Sequence, residues 1–245
     1  MIEARKNALF NAWFAGHARS RIERTFERVS VHGLGRAREL AAAAPLLAVS
    51  NHTSWWDPLV VLHASQHLLG TDGHALMDAK NLRRLPFFAR VGAFGVDLDR
   101  PADGAAAVKY AARLLDRPRR LVWVFPQGAE RPVTERPLGF RAGAAAIARV
   151  ARRSVTVPVG LRYEFAGTER PVLYLSFGEP VATEREPEVG RDAQEAAVVG
   201  ELARIERAVC GEAGLGFADT FHAAPSLGGH LAERALARLT SPPRR

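Results

Sequence analysis

The stretch that most limits what this chain can become runs from Leu46 to Leu62. Four apolar residues, Leu46-Leu47-Ala48-Val49, give way to polar Ser50-Asn51-His52-Thr53-Ser54; after Trp55-Trp56-Asp57-Pro58 the apolar residues resume in Leu59-Val60-Val61-Leu62. A short apolar run without alternation reads as a strand covered on both faces. Proline at a first helical position suits a helix start, because its missing N–H would be unpaired there anyway. The stretch is therefore strand, loop, helix. It places His52 where a buried strand ends and Asp57 where the next helix begins. In that arrangement the carboxylate accepts a hydrogen bond from one ring nitrogen and leaves the other free to take a proton from a hydroxyl. A plainer alternative makes Asp57 a helix cap and His52 an ordinary loop residue.

The rest of the chain repeats the alternation. Residues 74–77, 92–100, 154–159, 161–165 and 172–177 read as strands, as does the near-continuous apolar run Leu121-Val122-Trp123-Val124-Phe125, with a short strand at 29–34. Helical patterns are expected over residues 3–28, 36–44, 58–69, 81–91 (as a turn plus helix), 101–116, 139–151, 190–212 and 229–240. Strands alternating with helices at this spacing predict an α/β fold: a single domain with a mixed, largely parallel sheet flanked by helices. The first helix carries Leu9, Trp13, Phe14, Ile22 and Phe26 among six basic residues. It fits either a membrane interface or packing on the domain with a solvated basic face. Residues 1–34 are thus read as an amphipathic helix and lead-in, and 35–245 as the main domain.

A formal charge of +8 rests almost wholly on arginine, since lysine occurs only at Lys6, Lys80 and Lys109. That balance favours anionic partners such as a phosphorylated substrate or an acidic membrane face. Cys210 is the single cysteine, which rules out an intrachain disulfide and a cysteine-rich zinc site, and its helical context predicts a buried thiol. No apolar run approaches the ~20 residues a spanning helix needs, and the N-terminus lacks a signal-peptide core. The expectation is an intracellular protein that does not span a membrane. His63 and His67 have metal-ligand spacing, yet no Glu follows His63 and no third ligand is evident, so no metal is expected. Arg100, just past a strand end, either clamps a phosphate or pairs with Asp97 or Asp99.

Taken in order, several stretches resemble the glycerolipid (lysophospholipid) acyltransferase family. Asn51-His52 through Asp57 is similar to its His-x4-Asp motif, and Gly92 to Arg100 to its second block, an apolar strand ending in Asp-Arg. Phe125-Pro126-Gln127-Gly128 resembles the Phe-Pro-Glu-Gly block, Phe140-Arg141-Ala142-Gly143 the stretch that follows it, and Val157-Pro158-Val159-Gly160 the fourth block. The resemblance covers about residues 46–162. It implies transfer of a fatty acyl group from acyl-CoA or acyl carrier protein to the hydroxyl of a lysophospholipid or 1-acylglycerol-3-phosphate. These are co-substrates, and no further cofactor is implied. His52 is then the general base and Asp57 its orienter, with Asn51, Arg100, Phe125, Pro126, Gln127, Gly128, Arg131 and Arg141 expected at the substrate. Arg83 and Arg84 are further candidates for a phosphate. Backbone N–H groups near Gly128 are expected to face the oxyanion.

The third block departs from the family pattern. Gln127 stands for the usual glutamate, Ala129 for threonine, and Glu130 where arginine normally follows, with Arg131 one residue on. This opens an alternative acceptor without a phosphate, such as a glycolipid or carotenoid glycoside. A third reading, a basic module that binds membrane or nucleic acid without chemistry, requires His52 and Asp57 to point apart. A serine hydrolase is disfavoured because no Gly-x-Ser-x-Gly turn occurs. The leading expectation has an acyl-CoA or carrier-protein partner, a lipid acceptor, an anionic membrane surface and no nucleic acid. It places the enzyme peripherally on the cytoplasmic face of the cell membrane.

Overall fold

The computed structural model describes residues 1–97, 100–165 and 167–223. The helical segment expected at 229–240 lies outside the described residues. Strand β2 (Leu46–Ser50) is buried at every position, as its unbroken apolarity predicts. Its alternate side chains feed two cores: Leu46 and Ala48 on one face, Leu47 and Val49 on the other. Strand β5 (Arg120–Val124) lies parallel to it in the same phase, with Leu121 and Trp123 on the first face and Val122 and Val124 on the second. Two helical layers cover these faces. On the first lie α1 (Ala8–Thr25), α2 (Leu34–Ala43) and α3 (Asp57–His63). On the second lie α5 (Pro101–Leu114), α6 (Gly143–Val150) and α7 (Pro187–Val209).

The sheet has eight strands in the order β4-β3-β5-β2-β6-β7-β1-β8. The remaining strands are β1 (Arg28–His32), β3 (Asp72–Asp78), β4 (Ala93–Val96), β6 (Val155–Glu164), β7 (Val172–Phe177) and β8 (Phe217–His222). Strands β4, β3, β5, β2 and β6 run parallel. Strand β7 is antiparallel to β6, β1 parallel to β7, and β8 antiparallel to β1. From β2 the chain crosses through α3 to β3 on one side; from β5 it crosses through α6 to β6 on the other. Neighbouring strands whose connections diverge leave a crevice at their carboxyl ends, where open α/β sheets bind ligands.

Several expected boundaries shift for identifiable reasons. Helix α1 begins at Ala8, where Asn7 caps it by accepting from the Phe10 N–H. Residues before it run along the outer edge of β4, with Ile2 and Gly95 exchanging backbone hydrogen bonds of 2.8 and 2.7 Å. The lead-in over 1–34 is thus knit into the sheet twice, at Ile2 and through β1. The helix expected over 58–69 is α3 followed by a wider turn at Ala64–Leu68. The pattern at 81–91 resolves into α4 (Ala79–Arg84) and a tight 3-10 turn over Pro86–Val91. The strands expected at 154–159 and 161–165 are one, because Gly160 makes no turn. A Cβ there would lie 3.1 Å from the Glu201 backbone carbon, so this glycine lets α7 approach the sheet. The mostly exposed edge strand β8 went unpredicted, and Cys210 is exposed rather than buried, since α7 ends before it.

Candidate active site

His52 and Asp57 meet at the carboxyl end of β2. Asp57 is fully buried, and its Oδ2 accepts from His52 Nδ1 at 2.6 Å, from the Thr53 N–H at 2.8 Å and from the Ser54 N–H at 3.1 Å. A carboxylate only accepts, so Nδ1 carries the ring proton and Nε2 keeps its lone pair. The sequence sets this up locally. The five-residue loop folds back on itself, with the Asp57 N–H on the Ser54 carbonyl at 3.0 Å, and delivers Asp57 into the first turn of α3 just before Pro58. His52 retains 20 % of its side-chain surface, and its ring lies against Phe125 with centroids 4.5 Å apart. The base-and-orienter geometry is present, and the two side chains do not point apart.

The loop after β5 grips His52 by its backbone. Gln127, almost fully buried, accepts from the His52 N–H through Oε1 at 2.6 Å, and the Arg131 N–H donates to the His52 carbonyl at 2.9 Å. Gln127 therefore stands behind the histidine, outside the cavity described below. Asn51 is also committed elsewhere: its side chain donates to the Leu161 carbonyl at 2.9 Å and accepts from the Leu161 N–H at 2.8 Å, stitching β2 to β6. Arg131 pairs with Glu135 at 2.6 Å. These three line no part of the cavity described below, whereas Arg100, Phe125, Pro126, Gly128 and Arg141 do. Arg84 lines it too, but Arg83 does not. At Gly128 the backbone adopts φ 74°, a left-handed turn suited to glycine, and its N–H closes that turn on the Phe125 carbonyl at 3.1 Å. The amides of Ala129 and Glu130, two residues that also line the cavity, have no hydrogen-bond partner among the described residues.

A residue that the motif did not signal completes the cluster. Tyr163 on β6 donates its hydroxyl to Asp57 Oδ1 at 2.6 Å, and burial pushes its phenol well above the ordinary value near 10. Its signal was the phase of β6: Val157, Val159, Leu161 and Tyr163 share the face that α3 covers.

His52 opens into a cavity of about 1070 Å³, at the upper end of ligand pockets (~300–1,000 Å³). The cavity wraps around the carboxyl ends of β3 to β5. On the first face its floor is Ala75 and Met77 of β3 and its walls include Leu59 and Leu62 of α3, Phe14 of α1 and Phe88. On the second face it passes Leu76, Val108, Ala144 and Ile147, with Arg100 and Arg141 ahead of α5 and α6. Deep in it His74, like His63 on α3, is held neutral, with burial lowering its imidazole to about 4. The rings of His63 and His67 are 5.4 Å apart, and among the described residues no three His, Cys, Asp or Glu side chains converge as a metal site.

A buried carboxylate, an imidazole with one nitrogen free, and an apolar cavity beside it suit proton removal from a hydroxyl at a greasy substrate. Comparison with known proteins agrees on the class. No curated protein matches the chain. A family model, Acyltransferase, matches residues 28–162, a span that holds β1 through most of β6 and with them His52, Asp57 and the loop after β5. That match covers more than half of the 245 residues and the whole of the cluster just described up to Arg162, so the chain belongs to the Acyltransferase family, that of the glycerolipid acyltransferases, and is an acyltransferase.

Proposed function

We propose that the enzyme moves a fatty acyl group from an acyl thioester, carried by CoA or acyl carrier protein, to the hydroxyl of a lysophospholipid or 1-acylglycerol-3-phosphate. The observation that carries this reading is His52, held by Asp57 through Nδ1 at 2.6 Å and facing an apolar cavity. In the forward step Nε2 takes the acceptor's hydroxyl proton while its oxygen forms a bond to the thioester carbonyl carbon. Negative charge collects on the carbonyl oxygen, and in this reading the unpartnered amides of Ala129 and Glu130 are its donors. The C–S bond then breaks, the thiolate takes the proton back from the imidazolium, and an ester and a thiol leave. No acyl-enzyme forms. Asp57 stabilises the charged ring in between.

In this reading the apolar lobe over β3 takes the fatty chain, and Arg100 and Arg141 face the anionic part of donor or acceptor. Leu9, Trp13 and Trp55 are exposed near Phe14 and Arg21 at the cavity's edge, which supports a peripheral seat on an anionic membrane surface. Among the described residues no helix is long and apolar enough to cross a membrane.

A second reading, the same chemistry on a glycosylated lipid, draws on Glu130. Glu130 is among the residues that line the cavity, and a carboxylate there accepts hydrogen bonds from sugar hydroxyls and repels a phosphate. The test is acyl transfer from palmitoyl-CoA by the purified protein to a panel of lysophospholipids, 1-acylglycerol-3-phosphate and monoglycosyl lipids. Activity on the first two supports the leading reading, and activity confined to glycosyl lipids supports the second. Wild-type turnover in His52→Ala removes the mechanism from both.

A further inference from the structure

We propose that Tyr163 is a positioning residue of the acyl transfer: its hydroxyl holds the Asp57 carboxylate so that the opposite oxygen stays aimed at His52. The inference rests on the reading of His52 as general base. The two oxygens of Asp57 are held in different ways. Oδ2 gathers three donors, all from residues 52–54 of its own loop. Oδ1 is held from across the sheet, by Tyr163 on β6 at 2.6 Å, a contact spanning 106 residues. With Asp57 fully buried, a carboxylate left with an empty oxygen has no water to turn to, and rotation about its Cβ–Cγ bond would carry Oδ2 away from the imidazole.

Tyr163 is built to resist that rotation. Its ring packs on Phe26 with centroids 5.7 Å apart, and Phe26 packs in turn on Trp56, next to Asp57. Burial keeps its phenol protonated through the working range, so it acts only as a donor towards this carboxylate. Deleting that donor leaves Oδ1 unpaired, and the rotation that re-partners it lengthens the bond from His52 Nδ1 to Oδ2. A tyrosine that merely satisfied its own buried hydroxyl would have no such effect on the histidine. The other titratable groups that line the cavity are His17 and Arg21 on α1, His74 and Asp78 on β3, Arg84 on α4, Asp97 and Arg100 after β4, Glu130 after β5 and Arg141 ahead of α6. They are common to every variant below and cancel in the comparison.

The experiment follows the Nδ1–H resonance of His52 in protein labelled with 15N-histidine, across pH and without substrate. The resonance is assigned by its loss in His52→Ala. Tyr163→Phe should move it upfield and broaden it, as the bond from Nδ1 to Oδ2 lengthens. Incorporating 4-aminophenylalanine at position 163 keeps the packing with a weaker donor, and should move it in the same direction by less. With palmitoyl-CoA and the acceptor that turns over best, Tyr163→Phe should lower kcat about tenfold, as expected for loss of a hydrogen bond to a charged group, and leave KM within about twofold. Coincident His52 spectra in wild type and the aminophenylalanine protein overturn the proposal even if Tyr163→Phe does not fold. A fall in kcat with no change in the His52 resonance also overturns it, leaving a structural role. If His52→Ala turns over like wild type, the general-base reading fails instead, whatever the spectra of the Tyr163 variants.

Discussion

Strands β3 and β7 have similar lengths, yet they serve opposite purposes. All six residues of β7 are buried, between the first-face core and the layer formed by α7. In β3 burial stops after His74, and Ala75, Leu76, Met77 and Asp78 remain half-exposed because the cavity lies over them. One strand is closed by packing, while the other is left as the floor of a site. The difference lies in what the chain places above each strand. Helix α3 and the Pro86–Val91 turn stand apart over β3, whereas α7 lies directly against β6 and β7. An apolar strand at a cavity is stabilised less than a covered one, and that unburied surface is what a fatty chain can use.

That contrast can be broken or sharpened by substitution, taken from the largest expected effect downwards. At the head of the cavity, His52→Ala should lower turnover about a thousandfold, within the range of general acid–base contributions, with the thermal midpoint unchanged. At the closed end, Leu173→Ala in β7 should cost roughly 2–5 kcal/mol in urea unfolding and leave acyl-chain preference alone. A loss below about 1 kcal/mol there would mean that β7 is no better packed than β3.

Acid should destabilise the protein through the buried histidines. His63 and His74 are lowered to about 4 in the fold, so between the ordinary value of 6.5 and 4 the unfolded chain binds their protons and the folded chain does not. Stability is therefore complete above 6.5 and falls as pH drops towards 4, by up to about 3 kcal/mol for each group. His74→Gln should flatten that slope by about half in denaturation measured across pH, and an unchanged slope would remove His74 as its source. Next, Ala75→Phe fills the cavity floor. It should shift kcat/KM towards a short-chain over a sixteen-carbon thioester by roughly tenfold while changing stability by less than about 1 kcal/mol. Equal kcat/KM ratios would place the fatty chain elsewhere. The smallest effect is expected at the rim. The pair Trp13→Ala and Trp55→Ala should weaken sedimentation with anionic vesicles by roughly threefold to tenfold, leaving turnover of a water-soluble short-chain thioester intact.

The parts of the site legible in the sequence were those whose chemistry is local. Asp57 reaches His52 through a five-residue loop whose own amides join the imidazole on Oδ2, so spacing alone brought the pair together. Residues farther apart were another matter. Asn51, expected at the substrate, is turned into the sheet by a strand 110 residues away, and Gln127 was placed in the binding block without any means of seeing that its amide faces the His52 backbone. Tyr163 could have been found from the alternation of β6. The two strands expected on either side of Gly160 are one, and that glycine is a notch for α7. Strand β8 escaped because an edge strand with no fully buried position shows little apolar pattern.

What the amino-acid order determined by itself is the alternation of buried strands with helices, and the histidine and aspartate placed at the turn between one such pair. Both follow from interactions within a few residues, where chain geometry leaves little choice. Tertiary structure decided which strands became neighbours, and with that the crevice between β2 and β5, the open floor on β3 and the tyrosine that reaches Asp57 from β6. Those features depend on contacts between residues far apart in the chain. Many pairings satisfy the same local pattern, and the shared packing of both helical layers selects among them.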